Sequence, residues 1–272
     1  MGVPVIIALL FSLLVALFWL GKFRKMDKFE KEPERLIYLT FFAGVLSIIP
    51  SVLLEIPFQM TTSQHPPLIR DFFFLFLWVG IVEETFKFLA VRLTVYRSSQ
   101  FNEVLDGMIY MVSAAMGFAA TENIGYMLGF GFSVGLLRAI LSYLAHLSFS
   151  AILGYYMGKA KIEKNGNQLW IGFILAVSLH WFYNFFIVVG TLRTSEGFFL
   201  LGLLVWIFGL ILTFILVKKA QAVSPFRTTH LLPRRLTRPC QACGKTVSSK
   251  AWICHHCGEP LTLEEDEVTL KV

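Results

Sequence analysis

Apolar residues gather along the chain into seven runs separated by short polar connections. They extend from Val3 to Leu20, Leu36 to Pro57, Asp71 to Val91, Asp106 to Gly129, Val134 to Gly158, Leu169 to Gly190 and Gly197 to Val217. Each holds about 20 residues, enough at about 1.5 Å per residue to cross a hydrocarbon core of roughly 30 Å. Strand-like alternation is absent, and Gly and Pro fall mainly at run ends or among small residues. The pattern predicts an all-α multi-pass membrane protein with about seven transmembrane helices. Gly125 with Gly129, and Gly154 with Gly158, have the four-residue spacing that suits close helix approach.

Composition agrees with that reading. The 272 residues are 56% hydrophobic and 15% charged, with a mean hydropathy of +0.67, which excludes an ordinary soluble globule. A formal charge of +6 would suit nucleic acid, yet nine of the 24 Lys and Arg lie after residue 217 and six lie between Lys22 and Arg35. Membrane topology and anionic lipid account for that clustering better. Taken alternately, the connections hold the basic segment 22–35, then Arg92 and Arg97, then Lys159, Lys161 and Lys164, then the basic tail. Arg70, Arg138 and Arg193 stand singly against them. The positive-inside rule places the N-terminus outside the cell membrane and the tail in the cytoplasm. Val3 to Leu20, with no basic segment before it and no small-residue cleavage site, reads as an uncleaved anchor. The chain divides into an anchor and linker (1–35), a polytopic core (36–217), a basic linker (218–239), a cysteine-bearing segment (240–260) and an acidic tail (261–272).

Charge inside these runs carries the chemistry. Glu83 and Glu84 fall near the middle of the third, where a charge costs roughly 2.5 to 3.5 kcal/mol on insertion scales. Lys87 follows them at i+4 and i+3, within reach of both on one helix face. The fourth run brings Glu122 and Asn123, the fifth His146, and the sixth His180 with Asn184 one turn later. Counted along their helices, His146 and His180 share the depth of Glu83. Carboxylates and imidazoles in a low-dielectric pocket suit proton transfer to and from water. A glutamate can take a proton from water attacking a carbonyl while His and Asn donors stabilise the oxyanion. Alternatively, His146, His180 and a carboxylate would hold a catalytic zinc.

At these residues the chain resembles the PrsW family of intramembrane proteases, within the CAAX-protease and bacteriocin-processing superfamily. The resemblance rests on Glu83-Glu84-xx-Lys87, Phe118-xxx-Glu122-Asn123, His146 and His180-xxx-Asn184, in that order on successive runs. It implies cleavage of a membrane-anchored protein, with anti-sigma factors as the best-known type of target. Carried over, Glu83 is the general base, Glu84 an essential partner, and His180 with Asn184 the polarising or oxyanion-side pair. His146 would assist the water or bind metal, and Lys87 and Asn123 support the site. Two departures from the superfamily stand out: EExxK replaces EExxxR, and Glu122 stands where many relatives have histidine. Related proteins divide between metalloproteases and metal-free glutamate proteases, and the metal-free mechanism is the expectation here.

After Val217 the chain turns polar and basic, with Arg234 and Arg235 beside Pro233. Cys240-Gln-Ala-Cys243-Gly244 and Cys254-His-His-Cys257-Gly258 then place four thiolates on two tight turns. This spacing resembles a zinc ribbon with one structural zinc, all four positions being filled. His255 and His256 lie between the ligands as bystanders. The acidic run Glu264 to Glu267 favours a protein partner for the ribbon over nucleic acid. Two rivals to a protease follow from the same residues: a proton-coupled transporter using Glu83, Glu84 and Glu122 as a relay, and a membrane scaffold in which the ribbon is the working part. The transporter lacks the internal repeat common among carriers.

Overall fold

The computed structural model describes residues 2–63, 69–227, 237–248, 251, 253, 254 and 256–261. In chain order these form α1 (Gly2–Arg24), α2 (Glu34–Ser63), α3 (Ile69–Thr94), α4 (Val104–Phe130), α5 (Phe132–Arg138), α6 (Leu141–Ile162), α7 (Asn167–Leu192) and α8 (Glu196–Val223). A two-stranded sheet follows, β1 (Thr237–Pro239) and β2 (Thr246–Ser248). Pro233, Arg234, Arg235, His255 and the acidic tail from 262 onward lie outside the described residues.

Helices α1, α2, α4, α7 and α8 are long and apolar enough to cross a membrane, and the bent pair α5 and α6 makes a sixth such span. At 26 residues α3 is equally long, but Glu83, Glu84 and Lys87 interrupt its apolar sequence. It packs against α2 and α7, which turns those charges towards protein. Exposed Leu10 and Leu14 on α1, Phe42 and Leu46 on α2, and Leu204 and Phe208 on α8 form an apolar outer surface suited to lipid.

At the centre stands α4, buried along nearly its whole length and packed most extensively on α6 and then α2. Glycine sets the α4–α6 distance. A Cβ on Gly107 would run into the backbone of Gly154 and Gly158, and one on either of those would run into α4. The Gly154/Gly158 pair thus does what its spacing predicts. Among the described residues, a Cβ on Gly125 or Gly129 would meet nothing within 4 Å, so the other pair makes no such approach there.

The run from Val134 to Gly158 is not one continuous helix. α5 and α6 meet at a 41° bend. Arg138 at the end of α5 turns inwards to Asn123, Glu122 and Ser142. Within a membrane a broken helix needs a donor for the carbonyl it frees. Trp19 of α1 supplies it, its Nε1 donating to the carbonyl of Ala139 at 3.0 Å.

The linker after α1 folds under the start of α4. Tyr110 Oη donates to Glu32, whose carboxyl also lies against that of Asp106. Asp106 Oδ2 accepts from the backbone N–H groups of Asn102 (2.7 Å) and Glu103 (2.8 Å), capping the helix. Asp27 and Glu103 are buried beside them. Gln221, near the end of α8, donates to the carbonyl of Met26 and closes this end of the bundle.

The cysteine segment folds as two equivalent knuckles. Gly244 N donates to Cys240 O and Gly258 N to Cys254 O, both at 2.8 Å, and both glycines have positive φ. The ribbon touches the membrane portion through His256, whose Nδ1 lies 3.6 Å from Glu30 Oε1 and whose ring lies 5.2 Å from that of Phe226. His256, a bystander to the metal, therefore makes a docking contact.

Candidate active site

The buried polar layer begins with one turn of α3. Lys87 Nζ lies 3.0 Å from Glu83 Oε2 and 2.9 Å from Glu84 Oε1, the contacts that helical spacing predicts. It also donates to His146 Nδ1 of α6 at 2.8 Å. The ammonium has three protons and three acceptors, and it lies 4.4 Å from the centre of the Phe118 ring on α4. Lys87 is fully buried. Removing it would leave two carboxylates without their common cation.

Glu84 and Glu83 differ in what holds them. Glu84 Oε1 accepts from Lys87 and from His180 Nδ1 of α7 at 3.0 Å, and its Oε2 accepts from Ser150 Oγ of α6 at 3.0 Å. Three helices thus converge on one carboxylate. Glu83 has a single hydrogen bond, from Lys87, while its Oε2 lies 3.7 Å from His180 Nε2 and 3.8 Å from His146 Nδ1. Glu84 is held at both oxygens, Glu83 at one. Because Glu84 accepts, His180 donates from Nδ1 and turns Nε2 towards Glu83.

A second arm leads from His146 to α4 and α5. His146 Nε2 lies 2.9 Å from Glu122 Oε2, and Arg138 Nη2 lies 2.8 Å from the same oxygen. Arg138 is in turn held by Asn123 Oδ1 at 3.1 Å and Ser142 Oγ at 3.0 Å, and stacks 3.6 Å from the Tyr126 ring centre. Asn123 therefore supports the site through Arg138. The His146 and His180 rings meet edge to face at 5.1 Å.

The structure brings together Glu83, Glu84, Lys87, Glu122, His146 and His180, with Asn123 behind them. Asn184 stands apart, half-buried one turn beyond His180 and without a hydrogen bond to this network among the described residues. Three participants are not among the residues that spacing selects. Ser150 lies one turn beyond His146 on the same face, and Arg138 looks like a loop-side charge until the bend turns it inwards. Glu55 of α2 is an acid within an apolar run, the signal that marks Glu83, and it lies within electrostatic range of Glu122, Lys87 and Glu83.

Two places are compact enough for a metal. The four cysteine sulfurs lie within 4.8 Å of one another, with Cys240 to Cys257 and Cys243 to Cys254 each at 3.7 Å. That separation suits four thiolates around one zinc at about 2.3 Å. Donor atoms of Glu83, His146 and His180 are equally close. There, however, both nitrogens of His146 are engaged, Nδ1 by Lys87 and Nε2 by Glu122. A cation at this point would have to displace the Lys87 ammonium, so the arrangement does not fit a metal.

Residues 32–216 match the family described as PrsW family intramembrane metalloprotease. Similar proteins include Protease PrsW of Geobacillus kaustophilus, 33% identical over 171 residues that cover 62% of this chain and 74% of that protein. Protease PrsW of Bacillus subtilis is 30% identical over 196 residues, covering 70% and 87%. That of Clostridioides difficile is 30% identical over 185 residues, covering 65% and 76%. No solved structure matches. The family match takes in every residue of the buried polar layer and stops short of the ribbon. This chain belongs to the PrsW family and is a multi-pass intramembrane protease.

Proposed function

We propose that the protein hydrolyses a peptide bond of a membrane-anchored protein, of the anti-sigma-factor type, by water that Glu83 activates without a catalytic metal. The observation that carries this reading is the Lys87 ammonium, bonded to Glu83, Glu84 and His146 at the one point where a metal would have to sit. Glu83 takes a proton as water attacks the scissile carbonyl. His180, oriented by Glu84, presents Nε2 to the same water from beside Glu83. Asn184, engaged by no protein group in the network, is available to donate its amide N–H to the developing oxyanion. Glu122 holds His146 in place and is itself held by Arg138. Glu83 then returns the proton to the leaving amine.

The ribbon is assigned one structural zinc, held by Cys240, Cys243, Cys254 and Cys257, which fixes its fold and so its contact with Glu30. Its remaining surface is assigned to a protein partner, and the N-terminus to the outside of the cell membrane.

The test combines elemental analysis of detergent-purified protein with cleavage of a panel of single-pass membrane substrates. Wild type, Glu83→Gln and a variant with all four cysteines replaced by serine are compared. One zinc that disappears with the cysteines, and cleavage lost only in Glu83→Gln, is the expected result. A second zinc that survives loss of the cysteines would overturn the metal-free mechanism.

A further inference from the structure

Among the described residues, Glu55 is the carboxylate near the active site for which no cation or donor is found. Glu83 and Glu84 share Lys87, and Glu122 has Arg138 and His146. Glu55 is buried, and its Oε1 has no hydrogen-bond partner. Neither nearby cation is available to it. Lys87 has used its three protons, and Arg138 is directed to Glu122, Asn123 and Ser142.

Its place in the fold is equally defined. Glu55 lies 21 residues along α2 and Glu122 lies 18 residues along α4, or about 31 Å and 27 Å from the linker end of the bundle. Glu83 is 11 residues, about 16 Å, from the same end. Glu55 thus sits with Glu122 on the far side of the site from the linker. The layer as a whole holds four carboxylates, Glu55, Glu83, Glu84 and Glu122, against two permanent cations, Lys87 and Arg138. A buried unpaired carboxylate is costly, and a cationic group brought by a ligand would relieve that cost on binding.

We propose that Glu55 receives a basic side chain of the substrate, a Lys or Arg on the side of the scissile bond away from the linker. The proposal rests on the protease reading and names a substrate class for it: membrane-anchored proteins with a basic residue close to the cut. A lysine suits this depth, because its long stem lies in apolar surroundings while the ammonium reaches a polar partner.

The experiment uses the full-length protein and single-pass substrates that differ only in a Lys, Leu or Glu scanned through the positions flanking the cut. At one position, cleavage by wild type should favour Lys over Leu by about tenfold or more. Glu55→Gln should bring that ratio to about one, and Glu55→Lys should favour the Glu substrate. Binding of the same peptides to inactive Glu83→Gln, followed by fluorescence anisotropy, should show the Lys preference without turnover, and Glu83→Gln/Glu55→Gln should lose it. Equal use of the three substrates by wild type, or a Lys preference that survives Glu55→Gln in both assays, would overturn the proposal. If wild type cleaves nothing, the protease reading fails first, and the binding assay still judges the Glu55 contact.

Discussion

Two groups of buried acids sit at opposite ends of α4 and solve the same problem differently. Around Lys87 and Arg138, Glu83, Glu84 and Glu122 each have a cation within 3.0 Å. At the linker end, Asp27, Glu32, Glu103 and Asp106 are buried together, and the bonds they accept come from neutral donors such as Tyr110 and backbone N–H groups. The first group is paired with permanent cations. The second is built to hold protons, since burial pushes Asp27 up to about 6, Glu32 to about 7 and Glu103 to about 8. The acids inside the membrane span are paired with cations, whereas those that join the linker, α4 and α8 are left to neutralise.

The sharpest way to break this contrast is to remove the cation of the first group. Lys87→Met leaves Glu83 and Glu84 unpaired in the core and should cost about 3 to 5 kcal/mol, seen as a large fall in melting temperature together with loss of cleavage. A melt like that of wild type would mean that the layer does not depend on its ammonium. Comparison of Glu83→Gln with Glu84→Gln separates reaction from anchoring. Glu83→Gln should lower the rate by about 10² to 10⁴ with little change in melting. Glu84→Gln disturbs three hydrogen bonds and should lower stability as well as rate.

The acids of the linker end predict the opposite response to pH. An acid whose folded-state value is raised stabilises the fold below its ordinary value, and that stability is lost as pH rises through the folded value. Melting temperature should therefore fall as pH rises from about 4 to about 8, by an amount equivalent to about 1 to 3 kcal/mol. Glu32→Gln and Glu103→Gln should flatten the profile; a slope unchanged by both would place its origin elsewhere. The smallest effect belongs to the ribbon. Its recorded ion pair with the membrane portion is His256 with Glu30, so truncation after Arg227 should change core stability by about 1 kcal/mol or less. Collapse of the truncated protein would show that the ribbon is part of the core.

Much of the site was legible because charge within an apolar run is so costly that it marks itself. Glu83, Glu84 and Lys87 identify one another by helical spacing, and His146 and His180 join them at the depth that counting predicts, while Glu122, counted nearer the far side, reaches them through His146. Arg138 was not legible, because its role depends on the bend between α5 and α6, and no local pattern fixes the direction in which a broken helix turns. Asn184 illustrates the converse: spacing places it on the His180 face, yet it forms no bond with the network.

By itself the sequence determined the helices, their membrane setting, the four-thiolate knuckles and the identity of most buried polar groups. These follow from local facts, namely rise per residue, hydropathy and ligand spacing, that hold whatever the neighbours are. Tertiary structure alone decided which of two adjacent glutamates is held at both oxygens and which at one. It also decided that Lys87 reaches His146 across 59 positions of sequence, and that Glu55 finds no cation among the described residues. Those outcomes depend on which donors other helices deliver to each oxygen, and a buried donor satisfies only the few acceptors within its reach.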